Sequence, residues 1–471
     1  KFRNQPDKGP CPAGWADKLG VPQVVADLLW QRGLETSAQM DSFLSPGLRH
    51  LAPPDCWPGM QEAVDALEQG IREGRNVLIW GDYDVDGITG ATLILQTLRF
   101  HDVPSTVHLP DRRKEGYGLN IPEIERLAAE EGPGILLTVD CGISDVKAVE
   151  RARELGFMVV VSDHHMPPEE LPPAHAITNP RLSEDNPCPH LAGVGVAFFL
   201  MAALNGKLEA MSGKRMDMRQ VLDLVALGTL ADMVSLTGQN RILVKNGLLK
   251  IAEAKRPGLA ELKGASGFSP VAALGAGQVV FNLAPRINAA GRLDDMSVGI
   301  ACLLARDDAE AQELAAQLNN LNIERREIEQ SMLQDALNDF PETLPSGQTT
   351  LVAYRDDFHQ GVVGIVASRL KDRFYRPTIV FAPADNGEVR GSGRSIPNLH
   401  LRDALDLVSK RHPDLILKFG GHAMAAGLSI LEHNIPVFQT AFEEAVREMV
   451  CEDDLSQTYI TDGSLPARDI T

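Results

Sequence analysis

The sequence is poor in features that would place it outside a reducing, aqueous compartment. Its six cysteines (Cys11, Cys56, Cys141, Cys188, Cys302, Cys451) include no close pair, which argues against a disulfide framework or a thiolate zinc site. No run approaches about 18 uninterrupted apolar residues, so no transmembrane helix and no membrane partner are expected. Lys1 to Gly14 lacks the apolar core of a signal peptide and does not open on Met, as in a processed start. The expected location is cytoplasmic. Low-complexity tracts are missing, as is any period of 20–50 residues that would mark a repeat protein. Net positive charge is missing too: the chain carries −19, which argues against broad coating of nucleic acid. Between Leu351 and Gly420, however, 11 Lys/Arg stand against 8 Asp/Glu, a local net of +3. A basic face confined to one groove is one reading of that stretch, and a solvated helix face is the other.

At 471 residues the chain is too long for one ordinary core, and its length suggests roughly three domains. From residue 60 short apolar runs alternate with amphipathic patterns. Strands are expected at 77–80, 106–109, 135–139 and 158–161, with helices over 61–73, 87–100, 122–131 and 145–155 between them. That alternation predicts a parallel sheet covered on both faces, with ligands bound beyond the carboxyl ends of its strands. Residues 193–255 read mainly as helix. A polar pattern over 307–338 has no Gly or Pro and a narrow stripe of Leu314, Leu318, Leu321, Ile328, Met332 and Ala336; it predicts a stiff connector. A second α/β pattern follows, with strands at 350–354 and 378–381 around a helix at 362–374.

The chemistry concentrates at strand ends. Gly81-Asp82-Tyr83-Asp84-Val85-Asp86-Gly87 follows the run Val77–Trp80, and if extended its alternate acids would face one spot. Clustered carboxylates raise one another's pKa unless a cation intervenes, so a divalent metal is the simplest resolution. The pattern also opens like an EF-hand loop, but the twelfth position is Leu93 instead of Glu, and a strand precedes it. Asp140 follows a second strand and Asp163-His164-His165 a third. A lone strand-end Asp is commonly a helix cap, whereas three such sites with adjacent histidines point to ligation. Oxygen ligands mixed with imidazole suit manganese, and magnesium less comfortably. Asp232 ends a further apolar run, where helix termination and ligation compete on even terms.

In this order Asp84-x-Asp86-Gly87, Asp140, Asp163-His164-His165 and Asp232 resemble the DHH phosphoesterase family, and most closely its bacterial single-strand-specific 5′→3′ exonucleases. The stretches Glu115–Asn120, Pro285–Arg292, Gly391–Ser395 and Gly420-Gly421-His422 extend the resemblance, the last two within what looks like the DHH-associated domain. Where several family members carry a His four residues before the first ligand Asp, this chain has Trp80. The resemblance implies an α/β protein of two lobes: a DHH-type, mainly parallel sheet domain, and a smaller DHH-associated α/β domain, joined by a long helix. It places an N-terminal cap segment at 1–50, the catalytic domain at 51–302, the connector at 303–342, the associated domain at 343–453, and a tail at 454–471 where such proteins usually continue into an oligonucleotide-binding barrel.

It further implies two Mn²⁺ or Mg²⁺ ions held by Asp84, Asp86, Asp140, His164 and Asp232, with Asp140 bridging and Asp82 as an outer partner. His165 would stand by the scissile phosphate. Arg112, Ser392 and Arg394 would clamp a terminal 5′-phosphate. Tyr117 would stack on a base, and Arg286, Asn288, Arg292, Gly420, Gly421 and His422 would line the substrate path. Ion pairing for the arginines, core packing for Tyr117 and a tight turn for the glycines are the bland alternatives. The implied activity is degradation of single-stranded DNA from its 5′ end to 5′-mononucleotides in DNA repair and recombination, by a monomer working with a helicase and a single-strand-binding protein. The rivals are a nano-RNase or cyclic-dinucleotide phosphodiesterase of the same family, and a non-catalytic replication scaffold derived from it.

Overall fold

The computed structural model describes residues 1–6, 8–111, 115–184 and 186–465. Arg112, an expected 5′-phosphate contact, lies outside the described residues. The chain forms two compact units, one of residues 35–322 and one of residues 1–34 with 323–471. Its strands are β1 (Phe2–Asn4), β2 (Val77–Gly81), β3 (Ser105–His108), β4 (Ile135–Val139), β5 (Met158–Ser162), β6 (Ala176–Thr178), β7 (Leu351–Tyr354), β8 (Thr378–Pro383), β9 (Glu388–Arg394), β10 (Lys418–Gly421), β11 (Ala425–Leu431) and β12 (Tyr459–Thr461).

In the 35–322 unit, β2 to β6 form one all-parallel sheet in the order β3-β2-β4-β5-β6. Every residue of β2, β4 and β5 is buried. Val77 and Ile79 point into a core shared with the helices Met60–Arg72, Val85–Phe100, Gly193–Ser212 and Leu222–Ala231. Leu78 and Trp80 point to the other face, against the helices Ile121–Glu131 and Val146–Glu154. Two covered faces leave no polar side for these strands, which is why they read as nearly unbroken apolar runs. The helix Gly193–Ser212 is long and apolar enough to cross a membrane, yet most of it is buried against Val85–Phe100 and Leu222–Ala231. Asn205, Lys207 and Glu209 interrupt it, so the sequence shows no continuous apolar run there. Cys56 and Cys188, far apart in sequence, bring their sulfurs within 3.7 Å.

The other unit contains a five-stranded sheet in the order β10-β11-β9-β8-β7, antiparallel except for β7–β8. Two glycine-rich motifs that showed no strand pattern in the sequence are its strands β9 and β10. The reason lies in the alternation of β9. A Cβ on Gly391 would lie 2.5 Å from the Phe381 ring, and one on Gly393 2.8 Å from Leu401, so the core-facing positions admit no side chain. Arg390, Ser392 and Arg394 take the opposite face. Residues 1–50, expected as one segment, divide at Leu34. The parallel pairing of β1 with β12, with Lys1–Asp453 and Arg32–Asp462 ion pairs, ties the first part to the 323–471 unit.

One unbroken helix, Asp308–Asn338, begins where Asp307 Oδ1 accepts the Ala309 and Glu310 N–H groups. Leu314, Leu318 and Leu321 join the core of the first unit; Ile328, Met332 and Ala336 join a core of the second.

Candidate metal centre

Three adjacent parallel strands end side by side, and the acids follow from that. Asp82 succeeds β2, Asp140 succeeds β4, and Asp163 succeeds β5, all on one rim. The three acids after β2 do not converge by extended alternation, as the sequence pattern suggested. Asp84 is the N-cap of the helix Val85–Phe100, its Oδ1 accepting from Asp86 N at 2.8 Å and Gly87 N at 3.2 Å, and Asp86 lies in the first turn. The tight turn needs glycine at 87, where a Cβ would lie 2.4 Å from the Asp82 carbonyl oxygen.

Asp86 is buried and seized by a second helix. Its Oδ2 accepts from Gly193 N at 2.6 Å and its Oδ1 from Val194 N at 2.9 Å, at the N-terminus of Gly193–Ser212, where the helix dipole favours negative charge. Even so, burial, followed by repulsion from Asp84, pushes its carboxyl up to about 7. Asp232 ends the helix Leu222–Ala231 and is pushed up to about 8 by burial and then by Asp86 and Asp84. Asp140 rises well above the carboxylate range for the same reasons. It also sits at φ +64°, a strained conformation for a residue with a side chain. A Cβ on Gly193 would meet Asp140 Oδ1 at 2.7 Å, so the helix end reaches this carboxylate only because residue 193 is glycine.

His164 and His165 take opposite roles. The His164 Nδ1–H points to the Leu191 carbonyl at 3.0 Å, which leaves Nε2 with its lone pair toward Asp140 Oδ1 at 3.0 Å and Asp232 Oδ2 at 3.8 Å. Burial, then the neighbouring His165, lowers its pKa to about 4. None of Asp140 Oδ1, His164 Nε2 and Asp232 Oδ2 makes a hydrogen bond, although all are buried. The short His164–Asp140 separation therefore brings two lone pairs together instead of forming an ion pair. A metal ion among them would serve all three as ligands, displacing the protons that the raised Asp140 and Asp232 carboxyls otherwise hold. His165, in contrast, has Nδ1 2.8 Å from Asp163 Oδ1, and Asp163 spends its oxygens on the His164, His165 and Ile143 amides as well. Burial would lower the His165 pKa, but the Asp163 bond and charge outweigh it and the net shift is upward.

Three ligand groups emerge, each with its atoms within 4.8 Å: Asp86, His164 and Asp232; Asp82, Asp84 and Asp140; Asp140, His164 and His165. Two overlapping sites sharing Asp140 fit this set, and mixed carboxylate–imidazole donors suit Mn²⁺ or Mg²⁺. Asp82, expected as an outer partner, stands at ligand spacing.

The Gly116-Tyr117-Gly118 loop comes to the same rim. Trp80 Nε1 donates to the Gly118 carbonyl and Leu119 N to Asp145 Oδ2, while Tyr117 packs edge-on against Tyr83 and His165 with its hydroxyl 3.3 Å from His165 Nδ1. Arg286 is committed elsewhere: its three nitrogens donate to Asn319 Oδ1, the Asn282 carbonyl and the Ala265 carbonyl, bracing helices. Asn288 and Arg292 are half-buried on the helix Ala284–Leu293, which packs on the two helices carrying Asp86 and Asp232.

In the second unit Arg394 Nη1 donates to Ser392 Oγ at 3.0 Å, and both side chains lie over the first turn of the helix Val363–Phe374, where a Cβ on Gly364 would crowd them at 2.9–3.0 Å. Gly420 and Gly421 belong to β10. Gly421, at φ +140°, lets the hairpin close through the bond from His422 N to the Ala425 carbonyl.

Sequence reasoning did not foresee the amides of Gly193 and Val194, the Leu191 carbonyl, the orienting role of Asp163, or Arg181 beside His164. The signal available was Gly193-x-Gly195 opening an apolar helix.

A parallel sheet with this acid–histidine rim and a second mixed sheet define a DHH-type phosphoesterase architecture. The family models agree: "DHH family, N-terminal domain" matches residues 76–229 and "DHHA1 domain" residues 347–448. The chain is 43% identical over 466 residues to the single-stranded-DNA-specific exonuclease RecJ of Salmonella typhimurium, covering 96% of this chain and 79% of that protein. It is 34% identical to the RecJ of Thermus thermophilus, covering 94% and 63%. A crystal structure of exonuclease RecJ bound to manganese superposes with a TM-score of 0.71 at 35% identity, covering 83% of this chain and 94% of that one. The crystal structure of Thermus thermophilus RecJ in complex with Mn²⁺ gives 0.81 at 32%, covering 97% and 64%. The chain belongs to the RecJ family of single-stranded-DNA-specific exonucleases.

Proposed function

We propose that the chain, a single-stranded-DNA-specific exonuclease, removes 5′-mononucleotides from the 5′ end using two Mn²⁺ or Mg²⁺ ions held by Asp82, Asp84, Asp86, Asp140, His164 and Asp232. One observation carries this reading: three buried acceptor atoms, Asp140 Oδ1, His164 Nε2 and Asp232 Oδ2, face one another without a donor. When bound, such ions activate a water for attack on phosphorus and offset the charge that develops there. The protein supplies the rest. The helix N-terminus at Gly193 and Val194 fixes Asp86, and the Leu191 carbonyl fixes the His164 tautomer, so ligand geometry is set before metal arrives. Asp163 holds His165 by Nδ1, leaving Nε2 to hydrogen-bond a nonbridging oxygen or to protonate the departing 3′-oxygen.

Ser392 and Arg394, over a helix N-terminus, are suited to a terminal 5′-phosphate, since guanidinium and amide donors match phosphate. Tyr117, half exposed beside His165, is placed to stack on a base regardless of sequence. The catalytic domain is assigned to 51–302, the connector to 303–342 and the substrate-binding domain to 343–453. An enzyme confined to single strands needs its duplex opened and its strands kept unpaired, which suits a helicase and a single-strand-binding protein as partners of a cytoplasmic monomer in DNA repair and recombination.

The test compares 5′-phosphorylated with 5′-hydroxyl oligonucleotides, labelled at either end, in Mn²⁺. Wild type should release 5′-label first and prefer the phosphorylated strand, and Arg394→Ala should erase that preference. Asp140→Ala should abolish release while the fold persists. Release of 3′-label first, or full activity of Asp140→Ala, would refute the reading.

A further inference from the structure

The turn Pro180–Leu182 follows β6, the strand next to β5 on the rim that carries Asp82, Asp140 and Asp163. It is pinned to the His164–His165 turn. Asn179 Oδ1 accepts Arg181 N–H at 2.8 Å, Asn179 Nδ2 donates to the His165 carbonyl at 2.9 Å, and Asn186 Nδ2 donates to the Pro180 carbonyl at 2.7 Å. Both asparagines are buried, so the backbone at residue 181 has little freedom.

The Arg181 guanidinium donates from Nε to the His164 carbonyl at 2.7 Å and places Nη1 3.4 Å from the Met166 sulfur. Those are its side-chain partners among the described residues, and no carboxylate among them pairs with it. That is unusual beside a rim of six carboxylates. A carboxylate is the stronger partner for a guanidinium, and Arg181 makes no such pair. Here a neutral carbonyl fixes the guanidinium by one edge, and the side chain is exposed. Its charge still reaches the cluster, acting to lower both Asp232 and His164. The Nη donors remain for an anion that comes and goes.

We infer that Arg181 is a catalytic residue that donates to a nonbridging oxygen of the scissile phosphate. This rests on the exonuclease reading above. In that reaction a water oxygen bonds to phosphorus, the bond from phosphorus to the 3′-oxygen breaks, and a proton passes to that oxygen. Negative charge builds on the nonbridging oxygens meanwhile, and a preplaced guanidinium stabilises it without reorganising. The competing role is a brace for the His164 carbonyl, which would act on metal affinity.

The experiment uses the full chain, a 5′-phosphorylated single-stranded oligonucleotide and Mn²⁺, with wild type, Arg181→Met and Arg181→Lys. Single-turnover rate should fall about 100- to 1000-fold in Arg181→Met, the size of losing one donor to a developing oxyanion, and about tenfold or more in Arg181→Lys, which keeps charge without the fork. Mn²⁺ affinity from titration calorimetry, KM and Tm should stay close to wild type. A rate within about threefold of wild type overturns the proposal, and so does Mn²⁺ affinity that drops in step with rate. If Arg181→Met does not fold, Arg181→Lys decides by the same two measurements. A wild-type chain inactive on single strands would sink the exonuclease reading instead, an outcome separable from either.

Discussion

Metal loading should be coupled to proton release, and the size of the coupling follows from the cluster. Burial and mutual repulsion hold the Asp86 carboxyl up to about 7 and the Asp232 carboxyl up to about 8 when no metal is present. At pH 6 about nine-tenths of Asp86 and nearly all of Asp232 would then carry a proton, and at pH 9 only about a hundredth and a tenth. His164, lowered to about 4, is already neutral and contributes nothing. Binding requires the ionised carboxylates, so the protons that Asp86 and Asp232 release should fall by about two between pH 6 and pH 9. Through these two groups apparent affinity should rise by up to about 100-fold per pH unit below pH 7, with their contribution levelling off above about pH 8.

The sign for stability is the reverse in the metal-free protein. These acids ionise near pH 4 when unfolded and near 7–8 when folded, so the folded state binds more protons across that window. Its stability is highest below it and declines as pH rises through it. Calorimetric titration with Mn²⁺ under anaerobic conditions, in two buffers of different ionisation enthalpy at each pH, reads the proton number directly. A proton number that does not change from pH 6 to pH 9 would refute the claim that Asp86 and Asp232 give up protons to a metal.

Two further expectations concern single residues. Gly193→Ala puts a Cβ 2.6 Å from the Asp140 Cβ, a crowding of about 1–3 kcal/mol against a helix-propensity gain of at most about 1 kcal/mol. Denaturant unfolding should show a net loss and Mn²⁺ affinity should fall at least about tenfold; unchanged affinity would mean that Asp140 does not need that space. His165→Ala should slow single-turnover release about 100- to 1000-fold with Mn²⁺ affinity retained, because Asp163 occupies its Nδ1. An equal loss of Mn²⁺ binding would make His165 a ligand.

The covered parallel sheet was legible in the residue pattern, because strands buried on both faces must be almost continuously apolar, as in Val77–Trp80 and Met158–Val161. So was the long helix Asp308–Asn338, through its unbroken polar pattern and split stripe, and so was the placement of Asp82, Asp140 and Asp163 at strand ends. The pattern misled on how Asp82, Asp84 and Asp86 meet, since period-two alternation cannot reveal a cap turning directly into a helix. β9 and β10 were hidden because their glycines answer to Phe381, Leu401 and Ala425, which only the sheet brings near.

The electrostatics of the centre came from tertiary packing. The amides of Gly193 and Val194 reach Asp86 from 107 and 108 residues away, and the Leu191 carbonyl sets the His164 tautomer from 27. Backbone donors carry no residue identity, so no motif records them. Arg181 illustrates the same limit: its guanidinium is defined by a carbonyl 17 residues earlier, and that proximity exists only once β5 and β6 lie side by side.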